Sequence, residues 1–128
     1  MKTSAIFLFL LLAVSCKKDR VEEQLTSPIQ ASVCDVKYPV RELPWLRKLV
    51  EEAREENKDK ILTIKLYEVN GKPVFNYYLS YMSCIGCISY LCDGSRIDLS
   101  LLSVAEMDEY NNKIVRQTGN TTVLWPEK

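Results

Sequence analysis

Four cysteines have the type and spacing to do chemistry in this chain: Cys34, Cys84, Cys87 and Cys92. These four, without the fifth cysteine Cys16 near the start of the chain, are an even number, which favours two disulfides if the protein is exported. If residues 88–92 form a strand, the Cα atoms of Cys87 and Cys92 lie about 16 Å apart, whereas a disulfide needs about 4.4–6.8 Å. Two pairings therefore remain open: Cys34–Cys87 with Cys84–Cys92, and Cys34–Cys92 with Cys84–Cys87.

The motif Cys84-Ile85-Gly86-Cys87 also fits the C-x-x-C pattern of thiol–disulfide oxidoreductases. A thioredoxin-like site places this motif at a helix N-terminus, where the dipole lowers the thiol pKa, but here it lies between two predicted strands. The four thiols could instead bind zinc, although Cys34 and Cys92 do not form a second C-x-x-C pair. We therefore expect two structural disulfides, no cofactor and no metal. Redox chemistry and a cysteine–metal site are the alternatives.

The chain contains no histidine, and this absence removes many common catalytic and metal sites. It excludes Ser-His and Cys-His nucleophile pairs, histidine metal ligands and the usual general base near neutral pH. The 17 basic and 17 acidic residues give a formal net charge of zero, which argues against nucleic-acid binding. We therefore predict a protein that is not an enzyme and has no nucleic-acid partner.

The beginning of the chain predicts an export signal with a lipid anchor. Ten apolar residues, 5–14, would span only about 15 Å as a helix, about half of a hydrocarbon core of about 30 Å. They lead into Ser15-Cys16, and a small residue directly before a cysteine resembles the bacterial lipobox. In such lipoproteins the cysteine receives a diacylglyceryl thioether, the signal is cut just before it, and its new amino group is usually acylated. We expect a lipoprotein signal peptide over 1–15, lipidation of Cys16 and a charged, flexible tether over 16–28.

Residues 29–128 predict a single α+β domain that begins with an amphipathic helix. Pro44 suits the first helical position, where its missing N–H costs nothing. An apolar stripe at helical spacing follows, made of Trp45, Leu46, Leu49, Val50 and Ala53. A capping-box pattern from Ser103 to Glu106 predicts a second, shorter helix that runs to about residue 115.

Two hairpins and a closing strand at 121–125 predict a mainly antiparallel sheet of about five strands. Asn70-Gly71 favours a type I′ turn that pairs Val69 with Lys72, with one apolar face and a more polar opposite face. Asp93-Gly94 predicts a second hairpin in which Tyr90 pairs with Ile97 and both face the core. The expected fold is therefore an N-terminal helix packed on this sheet, with the second short helix before the last strand.

Several motifs resemble small uncharacterised lipoproteins of Bacteroidetes-type bacteria. The likeness covers most of the mature chain and rests on Leu43-Pro44-Trp45-Leu46, Tyr67-Glu68-Val69-Asn70-Gly71-Lys72, the Cys84 and Cys87 pair, and Tyr90-Leu91-Cys92-Asp93-Gly94. This resemblance implies export and disulfides, and it implies no assigned activity and no catalytic residue.

These observations predict a lipid-anchored cell-envelope protein that acts as a non-catalytic binding module. We expect it at the bacterial outer membrane, on the periplasmic face or the cell surface. Its partners would be the membrane, through the anchor, and an envelope protein or ligand that the sequence does not identify. The alternative is a thiol–disulfide redox or cysteine–metal protein that uses Cys84-x-x-Cys87.

Overall fold

The computed structural model describes residues 32–127. The predicted signal peptide, the lipidation site Cys16, the tether over 16–28 and the start of the predicted domain lie outside the described residues. Within 32–127, no helix is long and apolar enough to cross a membrane.

Two consecutive helices precede the sheet: α1 (Pro39–Glu42) and α2 (Pro44–Glu55). Helix α2 begins at Pro44, as predicted, and it buries Leu46, Val50 and Ala53 from the apolar stripe. Helix α1 was not predicted because four residues are too few to show a 3.6-residue periodicity.

The sheet contains four antiparallel strands, β1 (Leu62–Val69), β2 (Lys72–Leu79), β3 (Ser89–Tyr90) and β4 (Thr122–Trp125), in the order β3-β2-β1-β4. Asn70 and Gly71 have φ angles of 51° and 72°, as a type I′ turn requires. The predicted register of the β1–β2 hairpin is confirmed along its whole length, from Val69 with Lys72 to Leu62 with Leu79.

The predicted register of the second hairpin is wrong, and the sheet has four strands instead of the predicted number of about five. Tyr90, the last residue of β3, pairs with Arg96 rather than Ile97, and this pair is an isolated bridge because Arg96 belongs to no strand. Only Gly94 in this turn has a positive φ, 81°, and the Leu91 N–H donates to the carbonyl of Ser95. A three-residue loop with one left-handed residue has therefore replaced the two-residue turn, which shifts the register by one.

Both faces of the sheet are buried, against different helices. One face packs on α2 through Leu62, Ile64, Phe75 and Leu79, with Tyr90 and Cys92 at its margin. The opposite face, which was predicted to be more polar, is covered by helix α3 (Val104–Tyr110) and a π-helical segment (Asn111–Val115) that continues it. That second core contains Tyr67, Val69, Val74, Tyr110 and Ile114, with Ile97 packed against it. Ile97 and Tyr90 thus lie on opposite faces because a register shift of one residue turns a side chain to the other face.

The second helix begins as predicted, at a complete capping box. The Ser103 hydroxyl accepts from the Glu106 N–H, and the Glu106 carboxylate accepts from the Ser103 N–H at 2.8 Å. These bonds satisfy backbone donors that the first turn leaves without a partner. They also lower the pKa of the Glu106 carboxyl below its ordinary value.

Trp45 joins α2 to the turn that follows β3, at Cys92 and Gly94. Its indole N–H donates to the carbonyl of Cys92 at 2.9 Å, and its ring lies 5.3 Å from that of Phe75. A Cβ atom added at Gly94 would lie 2.6 Å from Cγ of Trp45. Gly94 is therefore required both for its positive φ and for the approach of this ring.

Gly94→Ala lowers the free energy of unfolding by about 3 kcal/mol, the sum of a left-handed alanine and an overpacked core. Gly71→Ala is the matched control because Gly71 has a similar φ of 72° and no atom within 4 Å of an added Cβ. Its expected loss is about 1 kcal/mol. Urea unfolding followed by circular dichroism measures both, and equal losses would show that the Trp45 contact has no energetic weight.

Candidate functional site

The four described cysteines form two disulfides, Cys34–Cys92 and Cys84–Cys87, each with Cα atoms 5.5 Å apart. This is one of the two pairings that the sequence left open. Because the cysteines are bonded in these pairs, they do not form the four-thiolate group of the zinc hypothesis. Within residues 32–127, no other group of three or more cysteine, aspartate or glutamate side chains is placed to hold a metal ion.

The Cys84–Cys87 disulfide lies in the segment between β2 and β3. We call residues 84–88 of this segment the cysteine loop. It contains no helix N-terminus, so the helix-dipole arrangement of thioredoxin-like sites is not present here. Of the four cysteines, only Cys87 is exposed, whereas the others are partly buried. The two residues of this disulfide therefore differ in exposure to solvent.

Side chains from outside the cysteine loop bind its consecutive carbonyl groups. The Asn76 amide donates to the carbonyls of Ile85 at 2.7 Å and Ile88 at 3.1 Å. The Tyr110 hydroxyl donates to the carbonyl of Gly86 at 2.6 Å, and the Arg96 guanidinium donates to that of Cys87 at 3.2 Å. All four carbonyls from 85 to 88 are thus held by side chains of other elements, which fixes the loop backbone.

A buried polar cluster of Asn76, Ser89 and Tyr110 carries most of these bonds. Each of the three is at most 2% exposed. The Ser89 hydroxyl lies 2.7 Å from the Tyr110 oxygen and donates to it, since the single Tyr110 proton is used on Gly86. Burial raises the pKa of Tyr110 above its ordinary value. Satisfied buried networks of this kind specify one arrangement because an unpaired member is costly.

Gly86 brings the cysteine loop into close contact with α3 and the π-helical segment that continues it. A Cβ at Gly86 would lie 2.9 Å from Cγ2 of Val115 and 3.4 Å from the Tyr110 ring. Gly86 is itself buried. The loop therefore packs on the α3 side of the protein as well as bonding to it.

An open cleft of about 450 Å³ lies beside the exposed cysteine, lined by Cys87, Arg96, Ile97, Asp98, Leu99 and Ser100. The Asp98 carboxylate accepts from the N–H and the hydroxyl of Ser100, at 2.9 and 2.6 Å, and these bonds lower the pKa of Asp98. Arg96 forms no salt bridge within residues 32–127. The cleft therefore contains the Arg96 guanidinium and the Asp98 carboxylate without a salt bridge between them.

Two large aliphatic side chains follow the cleft wall along the chain and are almost fully exposed. Leu101, at the end of a 3₁₀ turn (Leu99–Leu101), is 80% exposed, and Val104, the first residue of α3, is 81% exposed. We call Arg96, Leu99, Ser100, Leu101 and Val104 the docking surface. An aliphatic pair this exposed has no role in the core of the described chain.

The cysteines are the only residues of this site that the sequence singled out. Asn76 carried a usable signal, because asparagine is disfavoured in strands and this one lies within β2. No such sequence signal marked Arg96, Ser89 and Tyr110, since their partners are backbone carbonyls and hydroxyls of other segments.

The chain matches no family model, no curated protein and no solved structure. The resemblance to bacterial lipoproteins therefore stays a prediction, and function is argued from the geometry above.

Proposed function

We propose that this protein is a lipid-anchored component of the bacterial cell envelope that acts as a non-catalytic binding module through the docking surface. The observation that carries the binding role is the exposure of Leu101 and Val104, 80% and 81%, shortly after residues 96–100, which line the cleft and include Arg96. Scattered single aliphatics are ordinary on protein surfaces, whereas an exposed apolar group with a polar rim is typical of an interaction site.

The chemistry of the docking surface suggests the kind of partner. Aliphatic side chains would supply the apolar contact, and Arg96 would bind a carboxylate, its preferred planar acceptor. The surface is also pre-organised, because hydrogen bonds hold the cysteine loop and a capping box holds the start of α3. Pre-organisation lowers the entropy lost on binding. The partner is therefore a segment of an envelope protein that presents a carboxylate beside an apolar side chain.

The anchor part of the proposal rests on the lipobox-like Ser15-Cys16 and the apolar run before it. We expect protein extracted from membranes to begin at Cys16 and to carry acyl chains, since two chains suffice for stable anchoring. Intact mass spectrometry measures this, with Cys16→Ala as the variant that retains the unprocessed N-terminus. A mature mass without any acyl group would contradict the anchor.

A photo-crosslinking residue placed at Leu101 should yield a discrete adduct in intact envelopes. The same residue at Glu51, on the exposed side of α2, is the matched control and should yield none. Arg96→Glu should reduce the Leu101 adduct at least about fivefold, because reversing a charge at an interface disfavours the complementary partner. Identical adducts from positions 101 and 51, or an adduct indifferent to Arg96→Glu, would contradict a specific docking surface.

A further inference from the structure

The two disulfides of this protein differ in the properties that control thiol–disulfide exchange. Cys34–Cys92 joins residues 58 apart in sequence, and both of its cysteines are partly buried. Cys84–Cys87 joins residues 3 apart, and its Cys87 side is exposed at the cleft. Exchange begins with attack of a thiolate on one disulfide sulfur, so access to that sulfur controls the rate. Of the four cysteines in residues 32–127, Cys87 is the one that is exposed rather than partly buried, so we expect it to be attacked first.

The cysteine loop is held in place independently of its own disulfide. Its carbonyls from 85 to 88 accept hydrogen bonds from Asn76, Tyr110 and Arg96, and Gly86 packs on Val115. None of these contacts involves a sulfur atom. We therefore expect residues 85–88 to keep their positions when the Cys84–Cys87 bond breaks, as a site that cycles between dithiol and disulfide requires.

Arg96 supplies positive charge where a thiolate would form. Its guanidinium donates to the carbonyl of Cys87, and both residues line the same cleft. A neighbouring arginine lowers a thiol pKa and so favours the thiolate. In thioredoxin-like proteins a helix N-terminus has this effect. Here Arg96 is the residue that would have it, opposed by the Asp98 carboxylate that lines the same cleft.

We propose that Cys84–Cys87 is a thiol–disulfide exchange site that accepts electrons from the dithiol of a partner protein, with Cys87 as the attacked sulfur. A partner thiolate bonds to the Cys87 sulfur, and the S–S bond to Cys84 breaks, leaving Cys84 as a thiolate. The second thiolate of the partner then attacks the partner's own sulfur in this mixed disulfide and releases Cys87. The partner dithiol is oxidised to a disulfide, and Cys84 and Cys87 gain the two electrons and, from solvent or the partner, two protons.

The first test treats the native, fully oxidised protein with reduced glutathione and stops the reaction by alkylation before peptide mapping. We expect cleavage of Cys84–Cys87 at least about 10-fold faster than that of Cys34–Cys92 and a glutathione adduct on Cys87, because attack follows access. Circular dichroism should show that the fold persists after this first cleavage. Simultaneous loss of both disulfides, or an adduct on Cys84, would overturn the proposal.

Matched variants test the asymmetry and the charge separately. In Cys84→Ser the remaining Cys87 thiol should react with an aromatic disulfide reagent at least about 10-fold faster than Cys84 does in Cys87→Ser. Arg96→Gln should raise the pKa of the Cys87 thiol in the Cys84→Ser background, whereas Arg47→Gln, an exposed arginine on α2, should not. Equal reactivity of the two thiols, or a Cys87 pKa unmoved by Arg96→Gln, would refute the assignment. The exchange site does not require the docking surface, so crosslinking and exchange can succeed or fail separately.

Discussion

Removing the long-range disulfide with Cys34→Ala and Cys92→Ala together lowers the free energy of unfolding by about 4 kcal/mol. The bond closes a segment of 58 residues, so its loss restores much conformational freedom to the unfolded chain. In the folded state it ties the first described residues to the turn at Cys92. Besides this bond, a short Val33–Val36 bridge shapes that segment. We therefore expect amide exchange at residues 32–38 to accelerate even where the rest of the fold survives.

The matched control for this prediction removes the other disulfide, with Cys84→Ala and Cys87→Ala. The Cys84–Cys87 disulfide closes only a short loop, so its removal should lower the free energy of unfolding by about 2 kcal/mol or less. Urea unfolding under non-reducing conditions measures both double variants, and hydrogen exchange locates the change. If the cysteine-loop variant were the less stable of the two, loop-closure entropy would not be the controlling term. The independence of the cysteine loop from its disulfide would then fail as well.

Asn76→Asp lowers the free energy of unfolding by about 3–5 kcal/mol at pH 7, the usual cost of an uncompensated buried charge. Asn76 is 2% exposed, and its amide nitrogen faces the carbonyls of Ile85 and Ile88. A carboxylate there has no proton to donate and places negative charge against two acceptors. The cysteine loop should detach first, because it loses two of the bonds that hold its backbone.

The pH dependence of this variant follows from the same environment. Burial and the facing carbonyls raise the folded-state pKa of the introduced carboxyl above its unfolded value of about 3.9. The stability deficit is therefore smallest below about pH 4, where the carboxyl becomes protonated in both states, and it grows as pH rises from the unfolded pKa to the folded pKa. Unfolding in urea at pH 4 and pH 7, each relative to the unmodified protein, measures this change.

Asn76→Leu is the control that removes the hydrogen bonds without adding a charge. Its expected loss is about 2 kcal/mol, since it leaves a buried acceptor unsatisfied, and the loss should not vary between pH 4 and pH 7. A deficit for Asn76→Asp that is equally independent of pH would mean that the side chain reaches solvent. The buried cluster of Asn76, Ser89 and Tyr110 would then not hold the loop as the structure indicates.

The elements that sequence determines here are those whose cause is local. Asn70-Gly71 adopts two successive positive φ angles, 51° and 72°, which few other dipeptides tolerate, so turn type and register follow together. Pro44 at the start of α2 and the capping box at Ser103 are local in the same way. In each case the stabilising contact joins residues within a few positions, and spacing alone reveals it.

The second hairpin shows where local information ends. Asp-Gly is compatible with a two-residue turn and with the three-residue loop that forms, and the two differ by one position in register. In the folded chain Trp45 packs against Gly94, and Cys92 is bonded to Cys34, 58 residues earlier. Contacts from distant segments therefore accompany the observed loop, and the side chains after it change faces as a result.

Tertiary structure alone decided the disulfide partners and the surroundings of the cysteine loop. Spacing reduced three pairings to two, but choosing between them requires knowing which Cα atoms come within reach. The bonds that hold the loop join Asn76 and Tyr110 to backbone carbonyls 9 and 24 residues away. Every residue carries such a carbonyl, so no pattern of side chains marks the partner. Asn76 reaches its partner from β2, and the packing of α3 onto the second face of the sheet brings Tyr110 to the carbonyl of Gly86.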